Sequence, residues 1–472
     1  MMKRLVQICL LLMAMALALG ACHKERCAHN FPPDNTDVRV DSSNLPLVWI
    51  VVNGDSIMRD KRISAYIKII HNGDGRLNYA DTIAHPGQHV DYEGYIALRH
   101  RGNSTYNSSP KKPYSFRTLK QPLFKSGKKK KVAILGMGKD NNWALHAPYS
   151  DKSMMRDLLA YEISRPWMEY VPQGRFCELF VDGVYYGVYV LSEVVSTGKH
   201  RLNLPGPGDQ GDALTGGYLM EVDCNDDETY TSKHCPVTAS GDPIEDRRIL
   251  FQYKSPDRDD LTQAQLRYIR RHIDDMENAL DQGRYGRFID VMSFIDYQLA
   301  MELGHNVDGY RLSGKFYKRR DSEDPRFKMV VWDMNLAYGN ANRLDGWRTD
   351  TWIYQSNDLM YNQGEVYLVP FWWQRLNNDP QYAAKLKARW AQYRAANLSE
   401  DRLMHTVDSL ATVLKACGAE YRNSQAWPRW GVQVWPNHYV AKDFNDEIAH
   451  LKQWLHERIA WMDRQLGYHT NL

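Results

Sequence analysis

Apolar runs rich in β-branched and aromatic residues predict strands through the first half of the chain. Four runs, LPLVWIVV, RISAYIKII, EGYIALRH and KKPYSFRTL, lie between residues 45 and 119, and the first two end at Asn-Gly turn signals. The stretch CELFVDGVYYGVYVLSEVV contains Asp182-Gly183, a dipeptide typical of a two-residue hairpin. GGYLMEVD and ILFQYKSP predict two further strands, so the front half is β-rich.

The apolar spacing then changes to that of helices. A helix is predicted to begin at Asp151 as its N-cap, with apolar residues at helical spacing as far as Ile163. LTQAQLRYIRRHIDDMENAL and RFIDVMSFIDYQLAMELGHN predict two longer helices, GKFYKRR and FKMVVWDMN a hairpin, and the chain is mainly helical from Pro370. This order predicts an α+β fold with two lobes.

The N-terminus has the pattern of a secretory leader. Lys3 and Arg4 precede an apolar run that is too short for a comfortable membrane span and ends in Leu19-Gly20-Ala21-Cys22. This ending resembles a bacterial lipobox, which implies cleavage before Cys22 and its lipidation. We therefore expect a membrane-anchored lipoprotein, periplasmic or at the cell surface, with residues 22–44 as a flexible tether. The alternative is a plain signal peptide with an incidental cysteine.

The near-neutral charge of the chain argues against nucleic acid as a partner. Without Lys3 and Arg4, 58 of the 60 basic residues remain against 57 acidic ones, which gives no electrostatic reason to expect nucleic-acid binding. The run Lys128–Lys131 is read as a solvated loop before a strand.

Cys224 and Cys235 lie in a polar stretch and can form a disulfide in an oxidising compartment.

Two acids carry the candidate chemistry. Asp308 follows the end of an apolar helix, and Asp333 ends the second strand of the predicted hairpin. Joined by strand, turn and strand, the two carboxylates can meet in one cleft. One would orient or deprotonate an acceptor hydroxyl, and the other would hold Mg²⁺ against phosphates. Taken singly, Asp308 also fits an Asp-Gly turn and Asp333 a cap that starts a loop.

Several ordered motifs resemble the spore-coat protein H (CotH) kinase-like family, atypical protein kinases often found on secreted proteins. The motifs are RGNST, KKPYSF, NNWALHAPYSDKSMMRDLLAYEI, FVDGVYYGVYVLSEVV, NVDGY, WDMNLAYGN and RLNNDPQYAAKLKARW. The resemblance implies a two-lobed, atypical protein-kinase-like fold. The expected divisions are a leader (1–21), a tether (22–44), a β-rich region (45–100), the kinase-like domain (101–435) and a C-terminal helix (436–472).

The resemblance also implies roles for nucleotide-binding residues, with ATP and Mg²⁺ or Mn²⁺ as cofactors. Lys112 looks like the phosphate-binding lysine on a strand, with Glu162 as its ion-pair partner and Arg156 as a second phosphate contact. Glu193 would lie in the nucleotide-binding region between the lobes. Arg101 would shape a loop over the phosphates, or a hairpin turn.

The same resemblance assigns Asp308 as the catalytic Asp and Asp333, with Asn335, as the metal ligands. The family usually has Asp where this chain has Asn335, which keeps an oxygen ligand but loses a charge. Ser313 stands where kinases usually have Asn, five residues after the catalytic Asp. Lys111 would point to the opposite strand face from Lys112, and the sequence leaves open which of the two faces inward.

Three functions remain from the sequence. The first is an ATP- and Mg²⁺-dependent kinase that phosphorylates Ser, Thr or Tyr hydroxyls of secreted or surface proteins; Asp308, Asp333, Lys112 and Glu193 favour it. The second is a non-catalytic surface adhesin, assembly factor or glycan-associated protein that retains the fold, and Asn335 favours it. The third, a metal-dependent phosphohydrolase built on the two acids, would make the order of the motifs a coincidence.

Overall fold

The computed structural model describes residues 30–224 and 229–469. The predicted leader and its lipidated Cys22 lie outside these residues. The chain forms two compact units. Unit 1 comprises Met1–Tyr149, Gly174–Glu193 and Thr412–Arg429, and unit 2 comprises Ser150–Gln173, Val194–Ala411 and Trp430–Leu472. Within the described ranges, no helix combines the length and apolarity that a membrane span requires.

The described residues contain sixteen strands. They are β1 (Ser42–Ser43), β2 (Leu47–Val51), β3 (Ile63–Ile70), β4 (Asn78–Tyr79), β5 (Val90–His100), β6 (Tyr114–Thr118), β7 (Val132–Ile134), β8 (Met137–Asp140), β9 (Asn142–His146), β10 (Gly174–Val181), β11 (Val184–Glu193), β12 (Tyr218–Val222), β13 (Tyr230–Thr231), β14 (Leu250–Ser255), β15 (Gly314–Lys318) and β16 (Phe327–Val330).

The helices concentrate in the second half of the chain. They are α1 (Ser104–Ser108), α2 (Arg156–Ser164), α3 (Gly211–Leu214), α4 (Gln263–Asp281), α5 (Val291–Gly304), α6 (Asn357–Asn362), α7 (Phe371–Asn378), α8 (Pro380–Arg394), α9 (Glu400–Lys415), α10 (Ala419–Ala426) and α11 (Phe444–Leu466). Three short 3₁₀ turns lie at Arg258–Asp260, Tyr285–Arg287 and Ile353–Gln355. The expectation of an α+β chain with a β-rich front and a helical back is confirmed.

Unit 1 is built on a closed barrel of seven strands, in the order β10-β11-β9-β6-β5-β3-β2. The one parallel pairing, β2 with β10, closes it. Its interior is apolar; Ile67, Ile96 and Leu145 are fully buried there. The predicted hairpin of β10 and β11 is confirmed, and positive φ angles at Asp182 and Gly183, 46° and 83°, give the turn that suits the twist of the strands.

Residues 30–44, expected to belong to a flexible tether, instead pack as part of unit 1. The side chain of Asn30 is buried and accepts a hydrogen bond from the Ile57 N–H at 2.7 Å. Val40 is buried, and β1 pairs with β4. Backbone pairing and burial of this kind hold a segment in place even where its composition is polar.

Unit 2 contains a five-stranded antiparallel sheet, in the order β13-β14-β12-β15-β16. The predicted hairpin of β15 and β16 is confirmed, with Lys315 opposite Val330. Both predicted long helices are confirmed as α4 and α5. Thr262 and Gln265 form a capping box at the start of α4, and Asp290 caps α5.

Two local predictions for unit 2 are wrong. The helix expected from Asp151 begins five residues later, at Arg156, although the Asp151 carboxylate still accepts the Arg156 N–H at 2.9 Å. Cys224 and Cys235 are not joined by a disulfide. Cys224 lies two residues beyond β12 and Cys235 four residues beyond β13, and β14 separates these two strands in the sheet.

A buried carboxyl in unit 2 predicts a pH dependence of stability. Glu277 on α4 is fully buried and accepts hydrogen bonds from Ser232 Oγ (2.6 Å) and Trp372 Nε1 (2.9 Å). Burial raises the pKa of Glu277 to about 7, against the opposing effect of these hydrogen bonds. Because the folded state then binds this proton more tightly than the unfolded state, the free energy of unfolding should fall as pH rises from about 4.3 towards 7.

Glu277→Gln removes the titration and keeps an amide oxygen for Trp372. From pH 4.5 to pH 8, urea unfolding of the wild type should lose about 3 kcal/mol more free energy than that of the variant. Parallel pH profiles for the two proteins would show that Glu277 does not titrate in this range.

Candidate active site

Asp308 lies in the loop that follows α5. The helix ends with His305 in a left-handed conformation (φ 44°), which turns the chain out of the helix axis. The Asp308 side chain is 24% exposed, and its Oδ1 accepts a hydrogen bond from Arg311 Nη2 at 2.7 Å. The carboxylate is therefore both accessible and held in one orientation.

Arg311 is the residue that holds Asp308. Its side chain is fully buried. The guanidinium also donates to the carbonyl oxygen of Val307 (2.9 Å), to that of Tyr367 (2.9 Å) and to Glu365 Oε2 (2.7 Å). A planar donor with this many fixed acceptors has little freedom to rotate, so it positions the Asp308 carboxylate rigidly.

Asn306 joins the Asp308 loop to the Asp333 loop. Its Oδ1 accepts the Asp308 N–H at 3.2 Å, and its Nδ2 donates to the carbonyl oxygen of Asp333 at 3.1 Å. Ser313 makes a second link, because its Oγ donates to Asp333 Oδ2 at 3.2 Å. The structure thus brings together the two loops that carry the predicted acids.

The start of α2 holds the Asp333 loop from the other side. Asp333 has a φ of 60°, in the left-handed region that few non-glycine residues adopt and that Asp enters more readily than most. Asp157 Oδ1 accepts the Met334 N–H at 2.7 Å, and Arg156 Nε donates to the carbonyl oxygen of Ala337 at 3.1 Å. Both ends of the turn after Asp333 are therefore fixed by α2.

The candidate metal ligands are oxygen donors. Among the described residues, no group of three or more His, Cys, Asp or Glu side chains is arranged to hold a metal ion. Mg²⁺ is nevertheless commonly held by one or two carboxylates together with substrate phosphates and water. Asp333 and the half-exposed Asn335 supply one carboxylate and one amide oxygen, which is enough for such a site. Because Asn335 is uncharged where the family usually has Asp, the affinity for Mg²⁺ is predicted to be weak.

Restoring that charge should strengthen metal binding. Asn335→Asp is expected to lower the Mg²⁺ concentration that half-saturates nucleotide binding by roughly tenfold, because the charge of the ligands tunes affinity for hard cations. A Mg²⁺ titration of the ATP-dependent melting temperature measures it. Asn342→Asp, which adds the same charge at an exposed position of the following loop, is the control and should change little. If both variants changed the half-saturating Mg²⁺ concentration equally, Asn335 would not be a metal ligand.

A charge cluster, buried except for Lys254, lies on the sheet beside Trp332. Lys315 on β15 forms an ion pair with Glu221 on β12, and Lys254 on β14 contacts the same carboxylate at 3.0 Å. Burial by itself would raise the pKa of Glu221. The two lysines have the larger combined effect and lower the pKa of Glu221 to about 2. Burial, and then Glu221, raises the pKa of Asp223 to about 6. The Lys315 ammonium lies 5.9 Å from the ring centre of Trp332, the residue that precedes Asp333 in the chain.

The structure settles the environment of the two lysines in unit 1. Neither is on a strand: Lys112, predicted to be on one, lies in the loop just before β6, because Pro113 precedes the first paired residue. Lys111 is fully buried and donates to Val188 O (2.6 Å) and Asn423 Oδ1 (2.8 Å). Burial, and then Arg429, holds the pKa of Lys111 well below its usual value.

Each residue of the expected ion pair has a partner of its own. Lys112 Nζ donates to the carbonyl oxygen of Tyr106 at 2.5 Å and lies 4.5 Å from the ring centre of Phe31. Glu162 on α2 pairs with Arg165 one turn later, at 3.0 Å. The predicted pairing of Lys112 with Glu162 stays a prediction.

Arg156, predicted to contact phosphate, is buried within unit 2. Its Nη1 contacts Asp151 Oδ1 (2.6 Å) and Glu447 Oε1 (2.8 Å), and the side chain is 2% exposed. A guanidinium that is buried and paired with two carboxylates already uses its charge within the protein. These contacts favour a positioning role over phosphate contact.

Arg101 and Glu193 both lie in unit 1. Arg101 is half-buried, and its Nη1 lies 3.4 Å from His146 Nε2, which in turn lies 2.9 Å from Ser192 Oγ. Glu193 ends β11, is 1% exposed and pairs across the sheet with Trp143. The nucleotide-binding roles assigned to Arg101 and Glu193 stay predictions.

Sequence reasoning missed three residues that shape this site: Asn306, Arg311 and Asp157. Each lies within three positions of a residue that was singled out, so proximity in sequence was the available signal. Their roles depend on partners far along the chain, such as Glu365 for Arg311 and Met334 for Asp157, so the local sequence does not show them.

Most of the chain matches a known protein family. The family model described as CotH kinase protein matches residues 98–462, more than half of the 472-residue chain. No curated protein matches the chain significantly.

Proposed function

Because the chain belongs to the CotH kinase protein family, we propose that it transfers the γ-phosphoryl group of ATP to hydroxyl side chains of proteins. The observation that carries this proposal is the joining of the Asp308 and Asp333 loops through Asn306 and Ser313. In protein kinases one carboxylate acts at the acceptor hydroxyl and another at the metal, and these two loops supply one each.

In this proposal Asp308 acts on the acceptor. A bond forms between the acceptor oxygen and the γ-phosphorus, and the bond from that phosphorus to the bridging oxygen of ADP breaks. The hydroxyl proton passes to the Asp308 carboxylate, which Arg311 holds in place. Asp333 and Asn335 would hold Mg²⁺, and the bound ion would neutralise charge on the transferring phosphoryl group.

The location and substrate follow from the leader. With Cys22 as lipid anchor, the protein would be attached to a membrane, facing the periplasm or the cell exterior. Its substrates would then be Ser, Thr or Tyr residues of secreted or surface proteins. Labelling with radioactive palmitate should mark the wild type and not Cys22→Ala.

A non-catalytic surface protein is the second candidate. Asn335 favours it, because loss of one carboxylate weakens a metal site. The engagement of Asp308 by buried Arg311 also favours it, since one oxygen of the carboxylate is already occupied by a hydrogen bond within the fold.

Nucleotide binding is the first test. ATP with Mg²⁺ should raise the melting temperature, because a ligand that binds only the folded state stabilises it by mass action. Asp333→Ala should lose the part of that rise that depends on Mg²⁺. Identical melting curves with and without saturating ATP and Mg²⁺ would favour the non-catalytic function.

A further inference from the structure

A basic loop of unit 1 has no part in the proposed transfer. We call residues 119–131 the basic finger; it leads from β6 to β7. It contains no Asp or Glu. Its six lysines are all exposed: Lys120, Lys125, Lys128, Lys129, Lys130 and Lys131.

The backbone of the basic finger is held by hydrogen bonds. The Lys120 N–H donates to Lys128 O at 2.7 Å, and the Lys130 N–H donates to Thr118 O at 2.8 Å, so its two arms pair like a short hairpin. At the tip, the Lys125 N–H donates to Pro122 O at 3.0 Å. The lysines therefore project from a fixed loop rather than from a solvated coil.

Phe124 lies at the tip of this loop and is 78% exposed. Single exposed apolar residues are common on protein surfaces. Phe124 differs from Ile83, which is 91% exposed, because lysines flank it on both arms of the loop. An aromatic ring surrounded by ammonium groups suits a surface with an anionic layer over an apolar one.

The strands at the base of the finger add to the positive charge. Arg117 lies on β6, two residues before the finger begins. Burial, and then the charges of Arg117 and Arg99, lower the pKa of Arg62 to about 9. Two nearby acids are engaged by backbone: Asp91 accepts the Leu135 N–H, and Asp140 accepts N–H groups of the residues that follow it. These two carboxylates keep their charge, but the six lysines of the basic finger outnumber them, so the surface carries a net positive charge.

We propose that the basic finger docks on anionic lipid, with its lysines at the phosphate head groups and Phe124 in the apolar boundary beneath them. A soluble polyanion would satisfy the lysines equally well, but it offers no apolar layer for the ring. The fixed backbone favours lipid further, because the ring is presented without an additional ordering cost. The inference is independent of phosphoryl transfer.

Photocrosslinking tests this contact in the full chain. p-Benzoylphenylalanine is placed at position 124, and, as a control, at position 83. The protein is bound to vesicles of phosphatidylcholine alone or with phosphatidylglycerol. With the anionic lipid, position 124 should give roughly tenfold more lipid adduct than position 83, and 1 M salt should abolish the excess.

Lysine variants separate local charge from net charge. Lys128→Gln with Lys129→Gln should reduce the adduct at position 124 by about tenfold, while Lys385→Gln with Lys387→Gln, exposed on α8, should leave it unchanged. Equal lipid adducts at positions 124 and 83, or adducts of position 124 with protein in place of lipid, would overturn the proposal.

Discussion

Asp308→Asn is expected to lower kcat for phosphoryl transfer by about 10² to 10⁴-fold, the usual contribution of a positioned general base. The amide is close in size to the carboxylate, and its oxygen can still accept a hydrogen bond from Arg311. The loop should therefore keep its shape while the proton acceptor is lost. Initial rates with γ-labelled ATP, measured across ATP concentrations, give kcat and KM separately.

The expected signature is a large fall in kcat with an almost unchanged KM for ATP. Asp259→Asn, which removes one carboxylate from an exposed turn of unit 2, is the matched control and should behave as wild type. A wild-type kcat in Asp308→Asn would exclude this residue as the base.

Arg156→Met should lower the free energy of unfolding by about 3–5 kcal/mol, the range seen when one partner of a buried ion pair is removed. Asp151 and Glu447 are each 5% exposed, and both would lose their counter-charge. Urea denaturation measures the loss. Arg165→Met on the same helix is the control, because its pair with Glu162 is half-exposed and should contribute less than about 1 kcal/mol.

The same variant distinguishes the two roles considered for Arg156. A large loss of stability agrees with a guanidinium that joins α2 to α11 and to the Asp333 loop. If Arg156→Met unfolded like wild type but lost ATP binding, a phosphate contact would be the better explanation.

Local pattern sufficed for most elements of the fold. Asp182-Gly183 specified a hairpin because the turn needs left-handed residues, and the apolar runs on either side continue as paired strands. The α4 and α5 helices were equally visible, since each has a cap and a helical apolar stripe or an apolar run. In these places, the determinants lie within a few residues of the element.

The local pattern does not contain contacts between residues far apart in the chain. Arg156 was predicted to contact phosphate, and its buried partner Glu447, 291 positions later, was not visible from the sequence. Composition also misjudged residues 30–44, which are polar yet are held by Ile57 and by pairing of β1 with β4. At the candidate site, the sequence identified Asp308 and Asp333, but the links through Asn306 and Ser313 required the fold.

The most direct measurement is transfer of labelled γ-phosphate from ATP to a protein acceptor, with Mg²⁺ or Mn²⁺. We predict incorporation by the wild type that survives as phosphoester on Ser, Thr or Tyr, with Asp308→Ala and Asp333→Ala at background. Equal incorporation by wild type and both variants, or none by a folded wild type that binds ATP, would contradict phosphoryl transfer at this site.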